Sequence, residues 1–212
     1  MIISAFPTGP FETNAYVIGC PKTHQAAIID PGVGSAKVIA SYLASQGLTP
    51  TFILLTHSHW DHIAEVLPLK NQYHIPVAIH PLDSPNLEHP GSDGLPCWIA
   101  FEGVIPDQFL DEGQQITVGQ AIFTVIHTPG HSPGSVCFYC PQEHLLISGD
   151  TLFQGTIGNL SFPTSQPEKM WNSLDKLTQL PASTKVYPGH GLETTIGAES
   201  WLPNARKLFD HH

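Results

Sequence analysis

The segment Thr56-His57-Ser58-His59-Trp60-Asp61-His62 places four potential metal ligands within six residues, directly after the apolar run Phe52-Ile53-Leu54-Leu55. Neutral imidazoles and a carboxylate are donors that suit zinc, iron or manganese. The His-x-His-x-Asp-His spacing has a geometric consequence as well. One short loop can turn His57 and His59 toward one ion while Asp61 and His62 face another. Two ions a few ångströms apart can share a nucleophilic water, so the chemistry indicated is metal-assisted attack by water.

Three more segments repeat this setting. Phe123-Thr124-Val125-Ile126-His127-Thr128-Pro129-Gly130-His131 passes from a β-branched run through a Pro-Gly turn to a histidine. Leu145-Leu146-Ile147-Ser148-Gly149-Asp150 is an apolar run that ends on an aspartate, and Lys185-Val186-Tyr187-Pro188-Gly189-His190 ends on another histidine. Short apolar runs bounded by Gly and Pro read as buried strands. Functional residues gather on loops at the strand ends of a rigid sheet. Any one of these histidines alone reads as an ordinary structural residue. Seven ligand-type residues in four such contexts do not.

The elements that must position these residues are legible in outline. Strands are expected near 2–6, 14–19, 26–30, 51–56, 76–80, 121–126, 135–140, 145–149 and 184–187. A helix is expected over Ser35–Gln46, with Val38, Ile39, Tyr42 and Leu43 on one face and Gly47 as its stop. A second, over 167–180, starts on Pro167 and stripes Met170, Leu174 and Leu177. A third, over 63–73, follows the first metal loop, so its N-terminal dipole would steady anionic charge there. Cys137 and Cys140 form a C-x-x-C, but positions three apart on a strand point to opposite faces, which disfavours a redox or zinc role for the pair. His24, His74, His80, His89, His127 and His144 are surplus to the pattern, and the terminal His211 and His212 are set aside as native residues or a tag remnant.

The set His57, His59, Asp61, His62, His131, Asp150 and His190 resembles the complete ligand set of the metallo-β-lactamase fold hydrolases, across nearly the whole chain. Gly149-Asp150-Thr151-Leu152-Phe153, Ile157-Gly158, Pro188-Gly189-His190-Gly191 and Glu193-Thr194-Thr195-Ile196-Gly197 are similar to the short bacterial glyoxalase II-like (hydroxyacylglutathione hydrolase-like) branch. The resemblance implies an α/β fold, a four-layer αβ/βα sandwich of two mixed sheets with outer helices and metals at one edge. It implies two divalent ions, zinc first, with iron and manganese as alternatives. His57, His59 and His131 would hold one ion, Asp61, His62 and His190 the other, and Asp150 would bridge them. Asp61 would also orient a bridging hydroxide, and Asp30, in Ile29-Asp30-Pro31-Gly32, would stand behind the ligands as support. The implied activity is hydrolysis of S-D-lactoylglutathione or a related hydroxyacyl thioester. Thiolates leave with little protonation, since a thiol has a pKa of about 8 to 9.

Departures from the branch bear on substrate. Only 22 residues follow His190, so the C-terminal helical extension with basic residues for glutathione is expected to be missing. Asn159-Leu160-Ser161 stands where similar enzymes tend to have an Arg and an Asp. Trp60 is bulky inside the metal loop, and Ala64-Glu65 replaces a commoner glycine pair. The segment 91–113, with Trp98 and Phe101, reads equally as pocket lining or core.

Composition sets the outer bounds. A chain of 212 residues, 41% hydrophobic, suits a single domain over 1–212. Eight Lys plus Arg stand against 18 Asp plus Glu, a formal charge of −10 with Arg206 the one arginine, so no basic stripe exists for nucleic acid. No apolar run is long enough for a bilayer, and Met1–Phe6 lacks the basic start of a signal peptide, so a cytoplasmic enzyme with a small-molecule substrate is expected. A lactonase would use the same nucleophile on a cyclic ester. A persulfide dioxygenase of this fold would bind one iron and consume oxygen. Diiron flavoprotein partners are disfavoured by His59, where they show Glu. A β-lactamase is disfavoured by Asp150 and by the missing export signal, and an inactive fold reused for binding by the intact ligand set.

Overall fold

The computed structural model describes residues 1–210; His211 and His212 lie outside the described residues. One sheet of six strands runs β1 (Ile2–Thr8), β2 (Thr13–Gly19), β3 (Gln25–Ile29), β4 (Thr49–Leu54), β5 (Val77–Ile79) and β6 (Gln108–Phe109) in spatial order. The second draws on β7 (Gln115–Val118), β8 (Ala121–His127), β9 (Val136–Cys140), β10 (Leu145–Gly149), β13 (Lys185–Pro188) and β14 (Thr194–Thr195), in the order β14-β13-β10-β9-β8-β7. A small hairpin, β11 (Leu152–Phe153) with β12 (Thr156–Ile157), projects after β10.

Three apolar clusters hold four layers together. Tyr16, Ile18, Ile29 and Leu54 from the first sheet meet Phe123, Val125, Phe138 and Ile147 from the second. On the outer face of the first sheet, Val17, Ile28 and Ile53 pack against α1 (Ser35–Gln46), α3 (Val66–Tyr73) and α4 (Ser84–Glu88) through Ile39, Leu43, Val66, Leu69 and Leu87. On the outer face of the second, Cys137, Leu146 and Val186 meet Met170, Trp171, Leu174 and Leu177 of α5 (Pro167–Thr178) and Ala205 of α6 (Ala205–Phe209). Val17 and Ile18 thus serve two different cores, because successive side chains leave a strand on opposite faces. Burying each such aliphatic side chain contributes about 1.5–3 kcal/mol. The same alternation separates Cys137, which faces α5, from Cys140, which lies between the sheets; both are free thiols.

Some elements differ from expectation. Val38 is solvent-exposed, so the buried stripe of α1 is Ser35, Ile39 and Leu43. The helix after the metal loop is broken: α2 (Trp60–Ile63) ends before Ala64, and α3 begins at Val66. Pro68 lacks an amide hydrogen for Ala64 and its ring crowds that carbonyl, while Glu65 N donates instead to Pro31 O (2.9 Å). It is therefore the four-residue α2, with His59 as its N-cap, that borders the site. The edge strand β7, where Ile116 and Val118 alternate with exposed Gln115 and Thr117, escapes sequence reading because two inward positions give almost no periodic signal. Among the described residues no helix is long and apolar enough to cross a membrane.

Strand direction gathers the chemistry at one edge. β3, β4 and β5 are mutually parallel, as are β10 and β13, and β8 runs parallel to β10 across the antiparallel β9. The loops after these strands, carrying His57 to His62, His131, Asp150 and His190, leave the sandwich on the same side. Val136 N donates to Thr56 O (2.8 Å) and Asn14 N to Gly189 O (2.7 Å), tying the two sheets together where the loops begin.

Candidate metal centre

All seven expected ligands meet at this edge. His57, His59 and His131 form one group and Asp61, His62 and His190 another, each with donor atoms within 4.8 Å of one another. Asp150 reaches both. Its Oδ2 lies 3.4 Å from His131 Nε2 and 3.4 Å from His190 Nε2, and its Oδ1 lies 3.4 Å from His62 Nε2. A third cluster, Asp30 with His57 and His62, is already saturated: Asp30 accepts from Thr56 N (2.8 Å) and Thr56 Oγ1 (2.6 Å) and faces His62 Nδ1 at 3.1 Å. Asp30 therefore stands behind the candidate ligands. It adopts a left-handed backbone (φ 49°), which an aspartate tolerates better than most residues.

The hydrogen bonds behind the rings test whether this donor set fits a cation. His131 Nδ1 donates to Asn159 O (2.9 Å), His190 Nδ1 to Phe11 O (3.0 Å), and His62 Nδ1 to the Asp30 carboxylate. With Nδ1 committed as donor, each Nε2 turns into the site. His62 Nε2 and His190 Nε2 then face each other at 3.3 Å, close enough to share one proton or to give a lone pair each to one cation. The buried His57 Nε2, His59 Nε2, His131 Nε2 and Asp150 Oδ1 have no hydrogen-bond partner. Four orphaned buried polar atoms in one place are costly unless an ion completes them.

Electrostatics agree with a ligand role. Burial, reinforced by His62 and His59, holds His57 well below its ordinary pKa; burial and then His131 bring His59 down to about 3. Both are thus neutral, as metal binding requires. Burial disfavours charge on Asp150 and Asp61, but the surrounding histidines prevail, holding Asp150 well below the usual carboxylate range and Asp61, with help from Thr13, at about 2. In the metal-free chain the two carboxylates act back on the second group. Burial works against charge on His190 and His62, yet the carboxylates raise His190 to about 9 and His62 well above its ordinary value.

Close backbone approach completes the centre. A Cβ on Gly189 would stand 2.1 Å from Asp150 Oδ1, and one on Gly158 would stand 2.0 Å from Asp150 O, so only glycine fits at either place.

Several residues that organise the site gave no ligand-like signal in the sequence. Asp83, fully buried in the loop after β5, accepts from Ser58 N (3.0 Å), Ser132 Oγ (2.7 Å) and Gly134 N (2.6 Å). It clamps the loop of His57 and His59 to the loop of His131. Asn14 Nδ2 donates to Pro188 O (3.0 Å) and Gly191 O (2.9 Å), bracketing His190, and Thr13 Oγ1 donates to Asp61 Oδ2 (2.7 Å). Of the surplus histidines, His80 and His127 stack on each other at 4.0 Å, away from the centre. The uncertain segment divides: Trp98 lines the cavity over the centre, whereas Phe101 packs on the first sheet's outer core.

The family described as the metallo-beta-lactamase superfamily matches residues 8–190, and the chain belongs to it. The architecture and the His/Asp clusters are those of a metal-dependent hydrolase of this superfamily, with a site for divalent ions. It is 38% identical to the probable metallo-hydrolase YqgX of Bacillus subtilis (strain 168) over 91% of this chain and 92% of that protein. It is 33% identical to the hydroxyacylglutathione hydrolase GloC of Haemophilus influenzae over 94% of this chain and 95% of that one. Among solved structures, BLEG-1 B3 metallo-beta-lactamase superposes with a TM-score of 0.87 at 38% identity, covering 98% of this chain and 100% of that one. TTHA1623 in a di-iron-bound form superposes with a TM-score of 0.80 at 39% identity, covering 93% and 96%.

Proposed function

We propose that the protein is a single-domain, cytoplasmic, dinuclear thioester hydrolase of the glyoxalase II type. Its substrate is S-D-lactoylglutathione or a related hydroxyacyl thioester. His57, His59 and His131 would hold one ion and Asp61, His62 and His190 the second, with Asp150 within reach of both groups. Zinc is the first candidate for both; the same nitrogen and oxygen donors accept iron, the metal of the related TTHA1623 structure. When bound, such ions supply a nucleophilic water at neutral pH and polarise the acyl carbonyl.

The chain's own residues do the rest. Asp61, held ionised and fixed by Thr13, orients the attacking water. Asp30, Asn159 O and Phe11 O fix three imidazole rings in the tautomer that presents Nε2. The observation that carries the thioester reading is the composition of the cavity. Its polar lining is His59, Asp61, His131, Asp150, His190 and Asn159, so among the described residues no acidic side chain apart from the ligand candidates lines it to protonate a leaving group. A thiolate needs no such acid, whereas an amine does. The likeness to the hydroxyacylglutathione hydrolase GloC supports the same reading.

The test is thiol release from S-D-lactoylglutathione by metal-quantified protein and by His57→Ala, beside a simple lactone and a chromogenic β-lactam. Release that is lost in the variant supports the proposal. Turnover of the lactone or the β-lactam alone would replace it, the latter being the activity for which the BLEG-1 structure is named.

A further inference from the structure

The cavity above the centre, about 470 Å³, is walled by Phe11, Trp60, Leu95, Trp98, Phe153 and Phe162. Three of these rings form a packed corner. Phe11 and Trp60 lie 5.4 Å apart, Phe11 and Trp98 5.9 Å, and Trp60 and Trp98 5.7 Å, with tilted or edge-to-face planes. Trp60 is buried and serves as the anchor, whereas Trp98 is 69% exposed and Phe11 47% exposed. An indole and a phenyl ring packed on a buried anchor yet open beside the candidate metal centre are apolar area that a ligand can cover.

Among the described residues, no lysine or arginine lines this cavity. Lys70 and Lys176 are engaged with Asp107 and Glu112, and Arg206 with Glu168 and Asp210, none of which line it. Glutathione carries two carboxylates, and such groups bind where cationic forks or ammonium groups meet them. Nothing in the lining does so.

We infer that, of the two substrate choices above, the physiological one is the related hydroxyacyl thioester rather than the glutathione ester: its thiol half is uncharged and apolar, recognised by the Phe11–Trp60–Trp98 corner, with Trp98 as its specificity-determining residue. The inference rests on the thioesterase reading above. A small hydroxyacyl group reacts at the centre, so the rest of the cavity receives the thiol half, and its walls are aromatic. The loop carrying Trp98 is anchored before it at Asp93, whose Oδ2 accepts from Asn86 Nδ2 (3.0 Å), and after it at Phe101, and the indole itself rests against Phe11 and Trp60.

The test compares two thioesters of the same D-lactoyl group, one with benzyl mercaptan and one with glutathione, on metal-loaded wild type, Trp98→Ala and Trp98→Phe. The expected ratio of kcat/KM, benzyl over glutathione, is about tenfold or more in the wild type, carried mainly by KM. It falls toward unity in Trp98→Ala and is largely kept in Trp98→Phe. Thermal unfolding of the variants confirms that the exposed indole can be removed without loss of the fold. Equal or better use of the glutathione ester, or a ratio that survives Trp98→Ala, overturns the inference while leaving the thioesterase reading intact. Hydrolysis of neither ester overturns that reading and this inference with it.

Discussion

Replacing Asp83 by Asn tests how the fold builds the first ligand group. Asp83 Oδ1 accepts from Gly134 N (2.6 Å), and Oδ2 accepts from Ser58 N (3.0 Å) and Ser132 Oγ (2.7 Å). An amide has one acceptor oxygen and one NH₂, so in either orientation the NH₂ confronts a buried backbone N–H. Leaving that donor unpaired costs about 1–3 kcal/mol. The cost falls on two loops at once, because Ser58 separates His57 from His59 and Ser132 follows His131. Loss of a supporting partner behind metal ligands typically weakens affinity about 10–100-fold. The second group is anchored elsewhere, through Asp30, Thr13 and Phe11 O. The expectation for Asp83→Asn is therefore a selective loss of affinity at the His57–His59–His131 site. Competition titration of chelated protein against a chromophoric chelator resolves the two sites, and thermal unfolding of the metal-free variant measures stability separately. A lower melting temperature with unchanged metal affinity, or equal weakening at both sites, would refute the clamp.

Asn14→Ala should do the converse, since it releases Gly191 O and leaves Pro188 O held by Tyr16 Oη alone, on either side of His190; the same titration should show the second site weakened more than the first, with about 0.5–1.5 kcal/mol lost in stability. Metal binding should release protons near neutral pH, because the carboxylates hold His190 at about 9 and raise His62 in the metal-free chain, and a bound ion needs both rings neutral. The sign follows for stability: a histidine pKa raised on folding stabilises fully below its unfolded value of about 6.5, and that contribution is lost as pH climbs through about 9. Over that window the chelated protein should lose melting temperature while the gap between loaded and chelated protein widens; a gap that narrows with rising pH would contradict the assignment.

Much of the centre was legible because its residues share one local context. Each of the four segments carrying a candidate ligand is an apolar strand that ends at a turn, and a sheet whose parallel strands end at one edge brings such turns together. Asp30 was legible for the same reason, standing at the end of β3. Asp83 and Asn14 were not, because what they bind is backbone N–H and C=O of loops distant in sequence, and no residue pattern encodes such a partner. Trp98 and Phe101 have the same character in a one-dimensional reading; only the path of the loop sends one to the cavity and the other to the core. The break between α2 and α3 carried a signal that amphipathic spacing hid, in Pro68 placed four residues after Ala64. The short strands β6 and β7 are held by their neighbours in the sheet more than by their own composition.

The most direct test of a dinuclear thioester hydrolase is thiol release from a D-lactoyl thioester, followed while chelated protein is titrated with zinc from zero to three equivalents per chain, with bound metal quantified at each point. The account predicts saturation at two ions per chain, with turnover appearing as the second ion binds. Saturation at a single ion, or two bound ions with the thioester left intact, would contradict it.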